Sequence, residues 1–360
     1  MSSRVLWVVV DSLGVDHVNA QNMPWLAALA SEGAMASEGG EAVMPALTYP
    51  NHASFVTGAG VEAHGITGNQ VFRNGAWVGA EGVGPAVETV FDVAGAAGRS
   101  SVAVVGDQNL VGVCGAGAAV DHWPAGGVHD SQTALGWTGY AADAEVLSAA
   151  LALDPAAYDL AFVQLDEMDS VQHIFGPHSE EARTMASAVD TTLEALASAY
   201  REHWDDTLVV VVSDHGQEAV GGHPIGFDGV IADALGVVAP ENPHEGDPAG
   251  RWRTDGTAAW ISPQAHADLG DLGELPGVES AVNLDDGSAV AWGSEGVVFG
   301  LEWGQKGDHG SIRSARQVAV VGGGHPATGN IGDVISRDRP KATQWAGIVL
   351  GVLLGTGGQP

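Results

Sequence analysis

The sequence predicts an α/β fold, a largely parallel central sheet sandwiched by helices, with a smaller α+β cap inserted late in the chain. Three features carry that expectation. Runs such as VLWVVV (Val5–Val10) and TLVVVV (Thr207–Val212) lack polar alternation, as strands buried on both faces do. Stretches with helical spacing of apolar residues separate such runs, giving αβ repeats. From about Gln217 to Lys306 the chain turns Gly-, Pro- and Asp-rich, with short alternating pieces such as TAAWIS and SAVAWG. These features divide the 360 residues into a core over 1–218, a cap over 219–305 and the remainder of the core over 306–360.

The elements follow in order. The first strand, from Val5, closes on Asp11, and Trp25, Leu26 and Leu29 then lie at helical spacing before Gly33. MPALTYPNHASFVTG (Met44–Gly58) opens as a loop and feeds a helix, with Thr48 at the helix start, where unpaired N–H groups attract anions. A helix over 87–98 precedes a strand over 101–106. Residues 112–127 read as a Gly/Ala-rich surface loop, 141–153 as a helix, Leu160–Leu165 as a strand and Asp166–Ser179 as a polar turn. A long helix over 180–203 leads to the most strongly apolar strand, Thr207–Val212, which runs into Ser213, Asp214, His215 and Gly216. The main sheet resumes at Val318–Gly322, and the chain closes on a helix ending in WAGIVLGVLLG.

Composition narrows the functional classes. Thirteen Lys and Arg against 45 Asp and Glu give a net charge of −32. So acidic a chain is unsuited to wrapping nucleic acid or binding anionic membranes, and it repels an anionic substrate unless bound cations reverse the local field. The one cysteine, Cys114, has no partner for an internal disulfide and suits a small buried position. The run Trp345–Leu354 is too short to span a bilayer and is broken by Gly347 and Gly351. With no signal-like leader at the N-terminus, the expectation is a cytoplasmic protein of unknown oligomeric state.

Strand ends concentrate the chemistry. Ligands of open α/β sheets bind beyond the carboxyl ends of the strands, where Asp11, Asp214 and His215 fall. Asp169 and His173 are four residues apart, on one face of a helical turn, a spacing at which both can ligate one metal. GDHGS (Gly307–Ser311) adds His309 in a glycine turn. His52 and His64, in the NH and HG turns, read as hydrogen-bonded scaffold.

Five stretches in this order, VVVDSLG, MPALTYPNHASFVTG with HGITGN, DEMDSVQHIFGPHS, VVVSDHG and GDHGS, resemble the alkaline phosphatase superfamily. The likeness is to its nucleotide pyrophosphatase/phosphodiesterase and phosphonoacetate hydrolase branches, and it spans nearly the whole chain outside the cap. The resemblance implies two divalent ions, one held by Asp169, His173 and His309, the other by Asp11, Asp214 and His215. It also implies Thr48 as a metal-activated nucleophile and Asn69 as the group that binds a phosphoryl oxygen. Mixed Asp and His ligands suit Zn2+ best, with Mn2+ compatible.

The activity so implied is cleavage of a small nucleotide phosphodiester or pyrophosphate, a cyclic dinucleotide among the candidates, to a nucleoside monophosphate through a phosphothreonine. Phosphonoacetate-type C–P bond hydrolysis is the alternative. Arg73, the one basic residue near the nucleophile segment, is a candidate for substrate binding, and Trp123 for stacking a base.

Overall fold

The computed structural model describes residues 3–221, 224–242, 246–300 and 304–356. Seven strands form the main sheet: β1 (Arg4–Val10), β2 (Ala34–Met35), β3 (Ser101–Val105), β4 (Asp121–Trp123), β5 (Leu160–Leu165), β6 (Thr207–Val212) and β7 (Ala319–Gly322). Their spatial order is β2-β7-β6-β1-β5-β3-β4. Five neighbours, β6 through β4, run parallel, and β7 and β2 close one edge antiparallel.

Both faces of the sheet are covered, which is why its strands carry Val, Leu and Phe without alternation. Trp7, Phe162 and Val210 face helices α2 (Thr48–Thr57), α3 (Val90–Ala96), α7 (Thr328–Arg337) and α8 (Trp345–Leu353). Leu6, Val163 and Val211 face α1 (Pro24–Glu32), α4 (Asp143–Ala152), α5 (Glu167–Phe175) and α6 (Glu180–Ser198). The register sets the site. Val10 pairs with Leu165 and Val9 with Val212, so β1, β5 and β6 end level and deliver their following residues to one edge.

Between Ala219 and Gly307 the chain builds a separate antiparallel sheet. Its strands lie in the order Trp252–Asp255, Ala258–Ile261, Ala289–Trp292, Ser280–Asn283. The helices Phe227–Leu235 and Pro263–Leu269 supply Ile231 and Ala265 to the same small core, where the Phe227 and Phe299 rings stack at 4.1 Å. The chain leaves and returns through one short ladder, Glu218 opposite Asp308 and Ala219 opposite Gly307.

Three local expectations need correction. Residues 166–179 hold helix α5, because Met168 and Val171 bury against the sheet while the polar residues Asp169 and Gln172 are buried too, to build the site. The presumed loop 112–127 contains edge strand β4, which is only partly covered and so shows no apolar run. Helix α6 ends at Ser198, and Arg201–Asp206 form a 3-10 segment. A hairpin, Gln70–Arg73 against Ala76–Gly79, also turns on Asn74 and Gly75, both left-handed; Asn-Gly is the residue pair such a turn favours. Among the described residues no helix is long and apolar enough to cross a membrane.

Phe162 is the centre of the aromatic packing, 5.3 Å from Trp7 edge-on and 6.0 Å from Phe91. Phe162→Ala is expected to lower the unfolding free energy by about 3–5 kcal/mol in urea titration, through lost transfer energy and a cavity between two covered layers.

Candidate active site

Asp11 follows β1, Asp214 follows β6 and Asp169 lies on α5 after β5, so the level strand ends bring three buried carboxylates together. Each is held by a neighbour. Gln164 donates to Asp11 Oδ2 at 3.2 Å, its own Oε1 accepting the N–H groups of Gly106 and Asp107. The Ser12 N–H donates to Asp214 Oδ1 at 3.1 Å, and its hydroxyl to Asp169 Oδ1 at 2.7 Å. Ser12 does both from a left-handed backbone, φ 60°, a conformation that is costly for a residue with a Cβ and persists where its surroundings impose it. Gln217 donates to Asp169 Oδ1 at 2.8 Å.

Three histidines face the same centre through one nitrogen. The Nδ1–H groups of His173, His215 and His309 donate to the carbonyls of Gly307 (2.9 Å), Gly216 (3.1 Å) and Ala46 (3.3 Å). That turns each Nε2 toward the carboxylates, the orientation that metal-ligating histidines take. His215 Nε2 lies 3.2 Å from Asp214 Oδ2 and 3.7 Å from Asp11 Oδ1. His173 and His309 approach Asp169 at 3.3 and 3.6 Å. Thr48, first residue of α2, donates its hydroxyl to His215 Nε2 at 3.3 Å. Asn69 Oδ1 accepts the Tyr49 N–H at 3.4 Å, which turns its amide donors toward the cleft.

The electrostatics follow from burial. Burial, together with Asp169, pushes Asp214 up to about 8, against the hydrogen bonds from Ser12 and His215. Asp11 is raised well above the carboxylate range by burial and then by Asp214. Burial alone would lower His173, yet the adjoining Asp169 carboxylate outweighs it and raises the imidazole to about 10. His215, buried and beside His309, is held well below the ordinary range, so it is a weak base for the Thr48 proton. Among the described residues none donates a hydrogen bond to the buried oxygens Asp11 Oδ1 and Asp214 Oδ2. With His215 they form one group able to hold a metal, their ligand atoms within 4.8 Å of one another. Asp169, His215 and His309 form a second such group, and His173, Asp308 and His309 a third. The donor chemistry therefore fits divalent cations.

A cleft of about 290 Å3 opens on this centre and is lined by Asp11, Thr48, Asn69, Asp169, His173 and His309. Arg73 and Trp123 are not among its lining residues. The Arg73 guanidinium caps the carbonyls of Gly65 and Phe72, and Trp123 lies on edge strand β4 with its ring 4.6 Å from His129. In their place the cleft takes Asp107, Tyr49 and Tyr140 from the core and Arg253 from the cap. Burial raises Asp107 to about 7. Ser12, Gln164 and Gln217 also escape sequence reasoning, since a buried Ser or Gln has no spacing signature. His64, as expected of scaffold, bridges the Ser54 hydroxyl and the Ile66 N–H.

A model of the type I phosphodiesterase / nucleotide pyrophosphatase family matches residues 5–279. Among solved structures, murine ectonucleotide pyrophosphatase / phosphodiesterase 5 superposes with a TM-score of 0.68 at 17% identity, over 99% of this chain and 96% of that one. An inactive variant of the murine protein has been solved in complex with AMP. Phosphonoacetate hydrolase from Sinorhizobium meliloti, in complex with phosphonoformate, superposes with a TM-score of 0.67 at 17% identity, over 99% and 96% of the two chains. GPI ethanolamine phosphate transferase 2 of Candida albicans is 30% identical over 80 residues, which are 22% of this chain and only 9% of that protein. The chain belongs to the type I phosphodiesterase / nucleotide pyrophosphatase family.

Proposed function

We propose that the protein is a two-metal phosphodiesterase that cleaves a nucleotide phosphodiester or pyrophosphate to a nucleoside monophosphate through a phosphothreonine at Thr48. The observation that carries this reading is one juxtaposition. A threonine hydroxyl at a helix N-terminus lies 3.3 Å from His215 Nε2, beside two buried carboxylate oxygens to which no described residue donates a hydrogen bond. His215 is too weak a base to activate that hydroxyl unaided.

Asp11, Asp214 and His215 would hold one divalent ion, and Asp169, His173 and His309 the other, with residues 219–305 as the cap over the cleft. When bound, the ions would stabilise the threonine alkoxide and neutralise charge on the phosphoryl oxygens. Zinc suits the mixed donors best. Thr48 attacks phosphorus as its proton leaves to solvent, and the bond from phosphorus to the departing alcohol or phosphate breaks. Thr48 then carries the nucleotidyl phosphoryl group until water cleaves the Thr48 Oγ1–P bond and releases the nucleoside monophosphate. The Asn69 amide donates to a non-bridging oxygen. Asp107 and Asp166 also line the cleft, and carboxylates there disfavour a substrate whose leaving group brings a carboxylate beside them. C–P bond hydrolysis remains the second reading because the cap supplies one cation, Arg253, to the same cleft.

The test is a metal-replete screen of linear and cyclic dinucleotides, dinucleoside polyphosphates, monoesters and phosphonoacetate. Diester or pyrophosphate turnover is expected, lost by about 10^3-fold or more in Thr48→Ala. Undiminished turnover by that variant, or release of phosphate from monoesters alone, contradicts the reading. Asn69→Ala is expected to lower kcat by about 10^2–10^3-fold, the effect of removing one oxyanion donor.

Metal removal has its own signature. Because burial raises Asp214 to about 8, the folded apoprotein binds more protons than the unfolded chain between the ordinary carboxylate range and that value. The stability that this one carboxyl contributes is fully present below the ordinary carboxylate range and is lost as pH rises toward 8. The thermal midpoint of chelator-treated protein should drop across that window, and zinc should restore it; a flat profile contradicts the placement of the carboxylates.

A further inference from the structure

The charged residues lining the cleft are one-sided. Asp11, Asp107, Asp166, Asp169, Asp255 and Asp308 are acidic, and Arg253 is the one Lys or Arg among the described lining residues. It is not a surface residue that happens to fall there. It belongs to cap strand Trp252–Asp255, which Asp228 fixes by accepting the Trp252 indole N–H at 2.7 Å and the Thr254 hydroxyl at 3.0 Å. Its guanidinium stands 5.6 Å from the centre of the Trp77 ring. Trp77 in turn ties the hairpin after Asn69 to the cap by donating to the Asp247 carbonyl at 2.8 Å.

Arg253 also lines a recess with Leu47, Thr67, Gly68 and Trp260, so that with Asp255 it borders both that recess and the cleft that Thr48 and Asn69 line. Burial depresses the guanidinium, and Asp255 and then Asp228 pull it back, so it stays cationic in a half-buried place. A planar cation held on a rigid strand beside a phosphoryl site is suited to fork onto a second oxyanion.

We propose that Arg253, carried into the cleft by the cap, binds a second oxyanion of the substrate, so that the preferred substrate bears another acidic group close to the scissile phosphoryl group. The proposal rests on the hydrolase reading above and sharpens it. A pyrophosphate-linked nucleotide offers that group as a phosphate and phosphonoacetate offers it as a carboxylate. The p-nitrophenyl ester of a nucleoside monophosphate offers none.

The experiment compares these three substrates on the metal-loaded full chain, for wild type, Arg253→Gln and Arg253→Lys, with thermal midpoints recorded alongside. In Arg253→Gln, kcat/KM for the pyrophosphate or the phosphonoacetate is expected to fall about 10- to 150-fold, mainly through KM, as loss of one charged hydrogen bond does. The fall on the p-nitrophenyl ester should be at least about tenfold smaller. Arg253→Lys should recover part of the loss, and it makes the same comparison should the glutamine variant fail to fold. Which doubly acidic substrate shows the effect tells phosphate from carboxylate. Equal losses on all three substrates, or no loss on the doubly acidic ones, overturn the proposal and leave the hydrolase reading standing. Turnover of none of the three by wild type overturns that reading itself, and the proposal with it.

Discussion

Like charge, brought together out of water, is the constraint on which the site depends. Asp11 and Asp214 lie in one group whose ligand atoms are within 4.8 Å of one another. At an effective dielectric constant of about 20, two unit charges at that separation repel by roughly 3.5 kcal/mol. The sheet imposes the arrangement, since β1, β5 and β6 end level. Neutral donors relieve part of it, from Ser12, Gln164 and Gln217. In Ser12 a left-handed backbone is held because its N–H and hydroxyl serve carboxylates from two different strand ends. What those donors leave over can be relieved by protons or by metal cations, and, against burial, the Asp169 carboxylate raises the His173 imidazole beside it.

The same constraint gives the surface and the cap their meaning. A chain of net charge −32 repels a phosphate ester at long range, so attraction must begin inside the cleft. On the proposed reading, cations at the strand ends would supply it on one side and Arg253 on the other. The cap is tied down at that point by the Trp77 contact with Asp247 and by the ladder of Glu218 with Asp308. On that reading, binding energy from the cap would be applied at Thr48, which is how a remote contact comes to set specificity.

Much of this was legible in the sequence, for physical reasons. Unbroken Val and Leu runs mark strands covered on both faces, and an Asp ending such a run is carried to the carboxyl edge whatever its role. That pattern places Asp11, Asp214 and His215 at one sheet edge, and helical spacing places Asp169 and His173 on one turn, and the structure brings all five together. Less legible was whatever depends on long-range packing. Arg73 is near Thr48 in sequence, yet the Asn74-Gly75 hairpin turns it onto the Gly65 carbonyl, while Arg253, 205 positions from Thr48, arrives through the cap. Trp123 looked like a loop residue because a short edge strand has no apolar run. Helix α5 read as a turn because its buried face is partly polar, which is the cost of building a site on it.

The most direct measurement is the divalent metal content of the purified chain, by elemental analysis after equilibrium dialysis against zinc. Two ions per chain are expected for wild type, with one retained when Asp214 is changed to Asn and one retained when His173 is changed to Ala. Less than one ion bound by wild type, or a content that neither substitution alters, would contradict the claim that cations offset the buried carboxylates.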